Sequence, residues 1–179
     1  MDFTETRIES EEKYKGIVVD VRLDTVRLLD GKKSKREVVN HPGGVAVLPI
    51  DECGYVYCVR QYRYAFGEHL IEIPAGKLEK GEDPAECAVR ELSEEVGAAA
   101  RELIPLGKIF PSPGFCYEIL YLYLAKKLSF HEAHPDEGEF VSVEKIHIDT
   151  LCEMIKTGEI CDAKTVAAAL MAKQVLKEA

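Results

Sequence analysis

The chain has 179 residues, 46% of them apolar and 31% charged, and its 23 basic and 32 acidic side chains give a formal charge of −9. That length buries a substantial core in one domain, or in one domain with a small appendage. An acidic surface repels phosphate backbones, so no nucleic-acid partner is expected, and an anionic small molecule needs a local cation in order to bind. No apolar run approaches the ~18 residues of a membrane span, so no membrane association is expected. The opening MDFTETRIESEEKYKG is acidic and polar, unlike a secretory leader, and the expected location is cytoplasmic.

Residues 1 to about 12 carry little pattern and read as a frayed lead-in. From Lys15 three strand-like runs follow, GIVVDVRL, TVRLL and KREVVNH, the last two joined by a hairpin signal at Asp30-Gly31. They hold few apolar residues and read as a small antiparallel extension over 1–40 that needs a partner surface, so a homodimer is expected. The main domain then occupies 41–179. It opens on Gly44-Val45-Ala46-Val47-Leu48-Pro49-Ile50, a buried strand, with Tyr55–Gln61 as its expected hairpin partner. Leu70–Ile73 is a short strand stopped by Pro74-Ala75-Gly76. A helix is predicted over 84–96, strands near 103–110, 118–125 and 139–144, a polar loop over 131–138, and helices near 148–157 and 162–177. The last starts on Asp162 and turns Val166, Ala169, Leu170 and Leu176 to one side. The order is mixed α+β with a dominant antiparallel sheet.

Six cysteines (Cys53, Cys58, Cys87, Cys116, Cys152 and Cys161) form no C-x-x-C pair and read as reduced, mostly buried thiols. His131-Glu132-Ala133-His134 is one residue short of the spacing that sets two histidines on one helix face, and no zinc is expected there.

The helix over 84–96 has both ends specified. Asp83 can accept from the first-turn amides, Pro84 suits the first helical position, Glu86 completes a capping box, and Gly97 can close a left-handed turn. Ala85, Ala88, Val89, Leu92 and Val96 form one apolar stripe, and Glu91, Glu94 and Glu95 lie beside it, with Glu95 at its edge. Like charges at these spacings weaken a helix. A solvated acidic face is the plain reading of such a trio, and divalent cations held by hard carboxylate oxygens are the other.

The wider spacing decides between them. Gly76, five residues, Glu82, seven residues and then Arg90-Glu91-Leu92-Ser93-Glu94-Glu95-Val96-Gly97-Ala98 resembles the Nudix box, G-x5-E-x7-R-E-U-x-E-E-x-G-U with U apolar. Leu70–Glu79, Ser112-Pro113-Gly114 with Glu118, and Asp136-Glu137-Gly138-Glu139 are similar to the ADP-ribose pyrophosphatase branch of that family. The resemblance implies an α/β/α sandwich around a mixed β-sheet, with N-terminal strands exchanged between two subunits. It implies Mg²⁺, or Mn²⁺, held by Glu91, Glu95 and the Ala75 carbonyl, with Glu94 a further or water-mediated ligand. Glu82 and Arg90 would pair as structural support. Glu137 would be the catalytic base, with Glu139 as its rival. Arg63 would meet the diphosphate, Arg36 would lie near the adenine, Glu118 would contact the terminal ribose or a metal-bound water, and Gly114 would take part in substrate binding. Ile17 stands where the branch can carry an aromatic that stacks on the base, with Tyr14 nearby. The expected reaction is hydrolysis of ADP-ribose to AMP and ribose 5-phosphate. Another nucleoside-diphosphate sugar is the alternative substrate. A non-catalytic nucleotide sensor fits less well, because every box carboxylate is kept.

Overall fold

The computed structural model of the protein describes residues 2–136, 138 and 140–178. Expectations placed on Glu137 and Glu139 lie outside them. In chain order the elements are β1 (Thr6–Lys15), β2 (Asp20–Arg27), β3 (Lys33–Asn40), β4 (Gly44–Pro49), β5 (Tyr55–Arg63), β6 (Glu68–Glu72) and β7 (Ala75–Lys77). Then come α1 (Pro84–Val96), β8 (Ala98–Ile109), β9 (Cys116–Tyr117), β10 (Leu120–Phe130), β11 (Val141–His147), α2 (Ile148–Thr157) and α3 (Ala163–Glu178).

Two compact units divide these elements. The first joins residues 1–43 to 110–119, so it takes in more than the expected 1–40. Its sheet runs β1-β2-β3-β9, antiparallel except for the β3–β9 pairing of Val39 with Cys116 and Asn40 with Tyr117. The lead-in expected to fray is a ten-residue strand with every residue exposed. It has no apolar period because it buries no face, and the β1–β2 ladder from Thr6–Arg27 to Lys15–Asp20 holds it. The expected strand beginning at Lys15 is instead the β1–β2 turn, closed by the Gly16 amide on the Val19 carbonyl at 3.0 Å. Residues read as two strands, through Leu23 and from Thr25, form one. The Asp30-Gly31 hairpin is as expected: the Leu28 amide donates to Lys32 O at 2.8 Å, and Gly31 takes φ 81°.

The second unit joins residues 44–109 to 120–179. Its mixed sheet runs β7-β4-β10-β8, and a second sheet runs β11-β5-β6. Every residue of β4 is buried, and alternate side chains face opposite layers. Val45 and Val47 pack with Cys87, Ala88, Leu92 and Val96 of α1. Ala46 and Leu48 pack with Leu151 of α2 and with Ala168, Ala169 and Ala172 of α3. That is the expected α/β/α sandwich around a mixed sheet, and the class is α+β.

The expected β4–β5 hairpin does not form. β4 pairs in parallel with β10, from Gly44–Leu120 to Pro49–Ala125, and antiparallel with β7, leaving one bridge between Ile50 and Val56. A strand apolar on both faces belongs in the middle of a covered sheet, where it needs two ladder partners. Leu170 is exposed, and the buried face of α3 runs through Thr165, Ala168, Ala169 and Ala172. No helix among the described residues is long and apolar enough to cross a membrane.

Candidate active site

The site is built on α1. Asp83 Oδ1 accepts from the Ala85 amide at 2.8 Å, Pro84 fills the first helical position, and Gly97 at φ 66° returns its amide to the carbonyls of Leu92 and Ser93. These caps fix the register of the helix. Val89, expected on the apolar stripe, is exposed. The buried face is Cys87, Ala88, Glu91, Leu92, Glu95 and Val96, so two of the three carboxylates lie within it. Glu91 is 7% exposed and Glu95 4%.

Strand β7 brings main chain to those carboxylates. The Ala75 amide donates to Glu95 Oε2 at 3.0 Å. A Cβ on Gly76 would stand 1.7 Å from Glu91 Oε1, and one on Gly44 would stand 2.5 Å from Gly76 O. Two side-chain-free positions therefore let β4, β7 and Glu91 meet. The glycine that opens the box motif is explained by close approach.

Arg90 is the hub of the charged face. Its Nε and Nη2 donate to the two oxygens of Glu82 at 3.0 and 3.2 Å, and Nη1 donates to Glu91 Oε1 at 2.7 Å and Glu94 Oε2 at 2.9 Å. Nη2 also reaches Lys77 O at 3.3 Å, and Glu82 Oε2 takes the Glu79 amide at 2.9 Å. Glu82 and Arg90 thus tie the 77–82 loop to the helix. The Arg90 guanidinium, with the Glu79 amide adding to it, pulls the Glu82 carboxyl from 4.5 to about 2. A carboxyl lowered on folding stabilises the protein above its unfolded value. That stability is lost as pH falls from 4.5 toward 2. The melting temperature is expected to fall across that window, with the Glu79 amide losing its exchange protection, and Glu82→Gln should remove this part of the pH dependence. Beside Arg90, burial pushes the Cys87 thiol up to about 12, so it stays protonated.

Among the described residues, no three His, Cys, Asp or Glu side chains already form a metal cage. The donor chemistry nevertheless fits a hard divalent cation. Glu91 and Glu95 are buried oxygen donors beside the main chain of Ala75–Gly76, and the single Arg90 guanidinium bonds three carboxylates. Hard carboxylate oxygens gathered beside main chain in this way suit such a cation.

The remaining expected site residues divide between the two units. In the second, Arg63 is not a free fork: its Nε and Nη2 donate to Glu72 Oε1 and Oε2 at 2.7 and 2.6 Å. Glu72 is 1% exposed and also bonds the buried Lys164. Burial works to raise its carboxyl pKa, but Arg63 and Lys164 outweigh it and hold it below the usual value. Nothing in the sequence pairs residues 92 apart, so this network has no signal there. In the first unit, the half-buried Arg36 is gripped by Glu5, Glu118 lies 3.4 Å from His41 Nδ1, and Gly114 sits in the turn whose Cys116 amide reaches Ser112 O. Ile17 is fully exposed in the β1–β2 turn. In the segment expected to be polar loop, His131 Nε2 lies 3.3 Å from Ser93 Oγ, and the His134 amide donates to Glu94 O at 3.1 Å. The segment after β10 is thus laced to the C-terminal half of α1.

The NUDIX domain matches residues 40–169, a span that contains α1, β7 and the whole Arg90 network. The chain belongs to the Nudix family. This Nudix chain is 43% identical over 166 residues to the ADP-ribose pyrophosphatase of Bacillus subtilis, covering 92% of this chain and 90% of that one. It is 45% identical over 168 residues to the methanol dehydrogenase activator of Bacillus methanolicus, covering 93% and 91%. The roles named for these two relatives differ, and both likenesses cover nine-tenths of the chains compared. A crystal structure of an ADP compounds hydrolase shares the Nudix fold, with a TM-score of 0.88 at 20% identity over 99% of this chain and 97% of that one. The chain is therefore a Nudix hydrolase, and members of this family generally need a divalent metal.

Proposed function

We propose that this Nudix hydrolase cleaves the P–O–P bond of ADP-ribose to AMP and ribose 5-phosphate. One observation carries the reading: Glu91 and Glu95 are buried against the main chain of Ala75–Gly76, where hard oxygen donors converge. The Bacillus subtilis ADP-ribose pyrophosphatase, alike over nine-tenths of both chains, supports the substrate. Glu91, Glu95 and the Ala75 carbonyl hold Mg²⁺, with Mn²⁺ able to replace it, and Glu94 ligates directly or through water. When bound, the ions neutralise the diphosphate and lower the pKa of the attacking water. Arg90 and Glu82 keep the loop and helix in register.

Glu137 takes the proton of the attacking water, with Glu139 the alternative, as the water oxygen bonds phosphorus and the bridging P–O bond breaks. Arg63 meets the diphosphate. For that it uses Nη1 or exchanges away from Glu72, whose charge Lys164 continues to balance. Arg36 lies toward the adenine, Glu118 contacts the terminal ribose or a metal-bound water, and Gly114 takes part in substrate binding. The protein works as a homodimer in the cytoplasm, the fully exposed β1 being the surface a second copy would cover.

Incubation with ADP-ribose and Mg²⁺ in ¹⁸O-labelled water is expected to give AMP and ribose 5-phosphate with the label on one of them. Intact ADP-ribose beside turnover of another nucleoside-diphosphate sugar would replace the substrate. Light scattering that finds a stable monomer would remove the dimer.

A further inference from the structure

The segment Ile73-Pro74-Ala75 crosses the second unit between β6 and β7, and three successive main-chain groups are tied to three different elements. The Ile73 amide donates to Thr165 Oγ1 in the first turn of α3 at 2.9 Å. The Pro74 carbonyl accepts from the Val47 amide of β4 at 2.9 Å, and the Ala75 amide donates to Glu95 Oε2 of α1 at 3.0 Å. Pro74 has a ring-locked φ and no amide of its own, so little play separates the first tie from the third. The three ties together set where Ala75 lies, and the Ile73 tie is the one that α3 supplies.

Thr165 is itself held. It is fully buried, and both its hydroxyl and its amide donate to Asp162 Oδ2, at 2.6 and 3.0 Å. Donating to Asp162 fixes the hydroxyl so that its oxygen lone pairs face the Ile73 amide. Lys164, also buried, bonds Asp162 Oδ1 at 2.9 Å and Glu72 on the residue next to Ile73. The first turn of α3 thus grips the strand end at two consecutive residues. A helix start that needed only a cap would be complete with Asp162.

We propose that Thr165, oriented by Asp162, is a positioning residue for the metal site: it holds Ile73-Pro74-Ala75 so that the Ala75 amide fixes Glu95 and the Ala75 carbonyl faces the same point. This rests on the reading above, that Glu91, Glu95 and Ala75 hold a divalent cation. Outer partners of metal ligands commonly set affinity without touching the ion.

The test is Mn²⁺ binding to the full chain, read from the electron paramagnetic resonance signal of free Mn²⁺, beside the Mg²⁺ concentration giving half-maximal turnover. Thr165→Val keeps the shape and removes the hydroxyl. It is expected to raise both constants about tenfold, with Thr165→Ser within about twofold of wild type. Asp162→Ala, at the solvent side of the latch, should shift both constants in the same direction and serves if Thr165→Val fails to fold. A lower melting temperature with both constants unchanged in the folded variants overturns the inference. Glu95→Gln separates the two readings. If it leaves Mn²⁺ binding intact, the metal reading falls, and if it abolishes binding while the Thr165 and Asp162 variants bind normally, only the latch falls.

Discussion

Glu95→Gln is expected to lower turnover by at least about 100-fold, the upper end of what losing a mere outer partner of a metal ligand costs, while the fold persists. The substituted amide has the size of the carboxylate, and its carbonyl oxygen can still accept from the Ala75 amide. What disappears is one negative charge that is 4% exposed and one turn from the buried Glu91. Without metal, that loss relieves repulsion with Glu91 but gives up attraction to Arg63, so the melting temperature should change little. With metal it removes a donor, so Mg²⁺ should stabilise the variant less than the wild type. Turnover against Mg²⁺ and a circular dichroism melt with and without the ion check both halves. An unchanged rate, or a variant that no longer folds, would refute the assignment.

Gly76→Ala should be nearly as damaging for a steric reason. Its Cβ would lie 1.7 Å from Glu91 Oε1, inside any permitted contact, and the carboxylate is hemmed in by Arg90 and by β7. Either Glu91 turns away or β7 leaves β4. Overpacking of this kind costs about 1–3 kcal/mol. The displaced carboxylate should also reduce turnover by about 100-fold, comparable with losing the support of a ligand. Gly114→Ala is the contrast in stability, because its Cβ would meet nothing within 4 Å and the melting temperature should not move. Equal melting temperatures for the two variants would show that the close approach at Gly76 is relieved at little cost.

What the sequence made legible was local. Asp83-Pro84 and Gly97 delimit α1 because caps act within a turn of the residues that make them, and they fall where expected. Glu82 and Arg90, on either side of that cap, meet for the same reason. Val89 fell off the buried face because the stripe centres on Cys87, Ala88 and Glu91, and carboxylates that earn burial from their surroundings cannot be ranked by hydrophobicity. β4 was recognised, but its partners were not. Two strand-like runs in succession suggest a hairpin, whereas the run Gly44–Pro49, apolar at each position, already signalled a strand covered on both faces. β1 went unseen because TRIESEEKYK buries nothing. The Arg63–Glu72–Lys164 network joins β5, β6 and α3, and only the folded chain brings those residues together.

The parallel pairing of β4 with β10 governs the order in which the protein can assemble. Gly44 lies beside Leu120, and Ile73 waits on Thr165 from the last helix, so the centre cannot close while the C-terminal third is still in the ribosome. Closing such long loops is entropically costly, and chains dominated by distant contacts reach the native state slowly. During synthesis α1 can wind early, but its acidic face must remain an unfinished site until α3 docks.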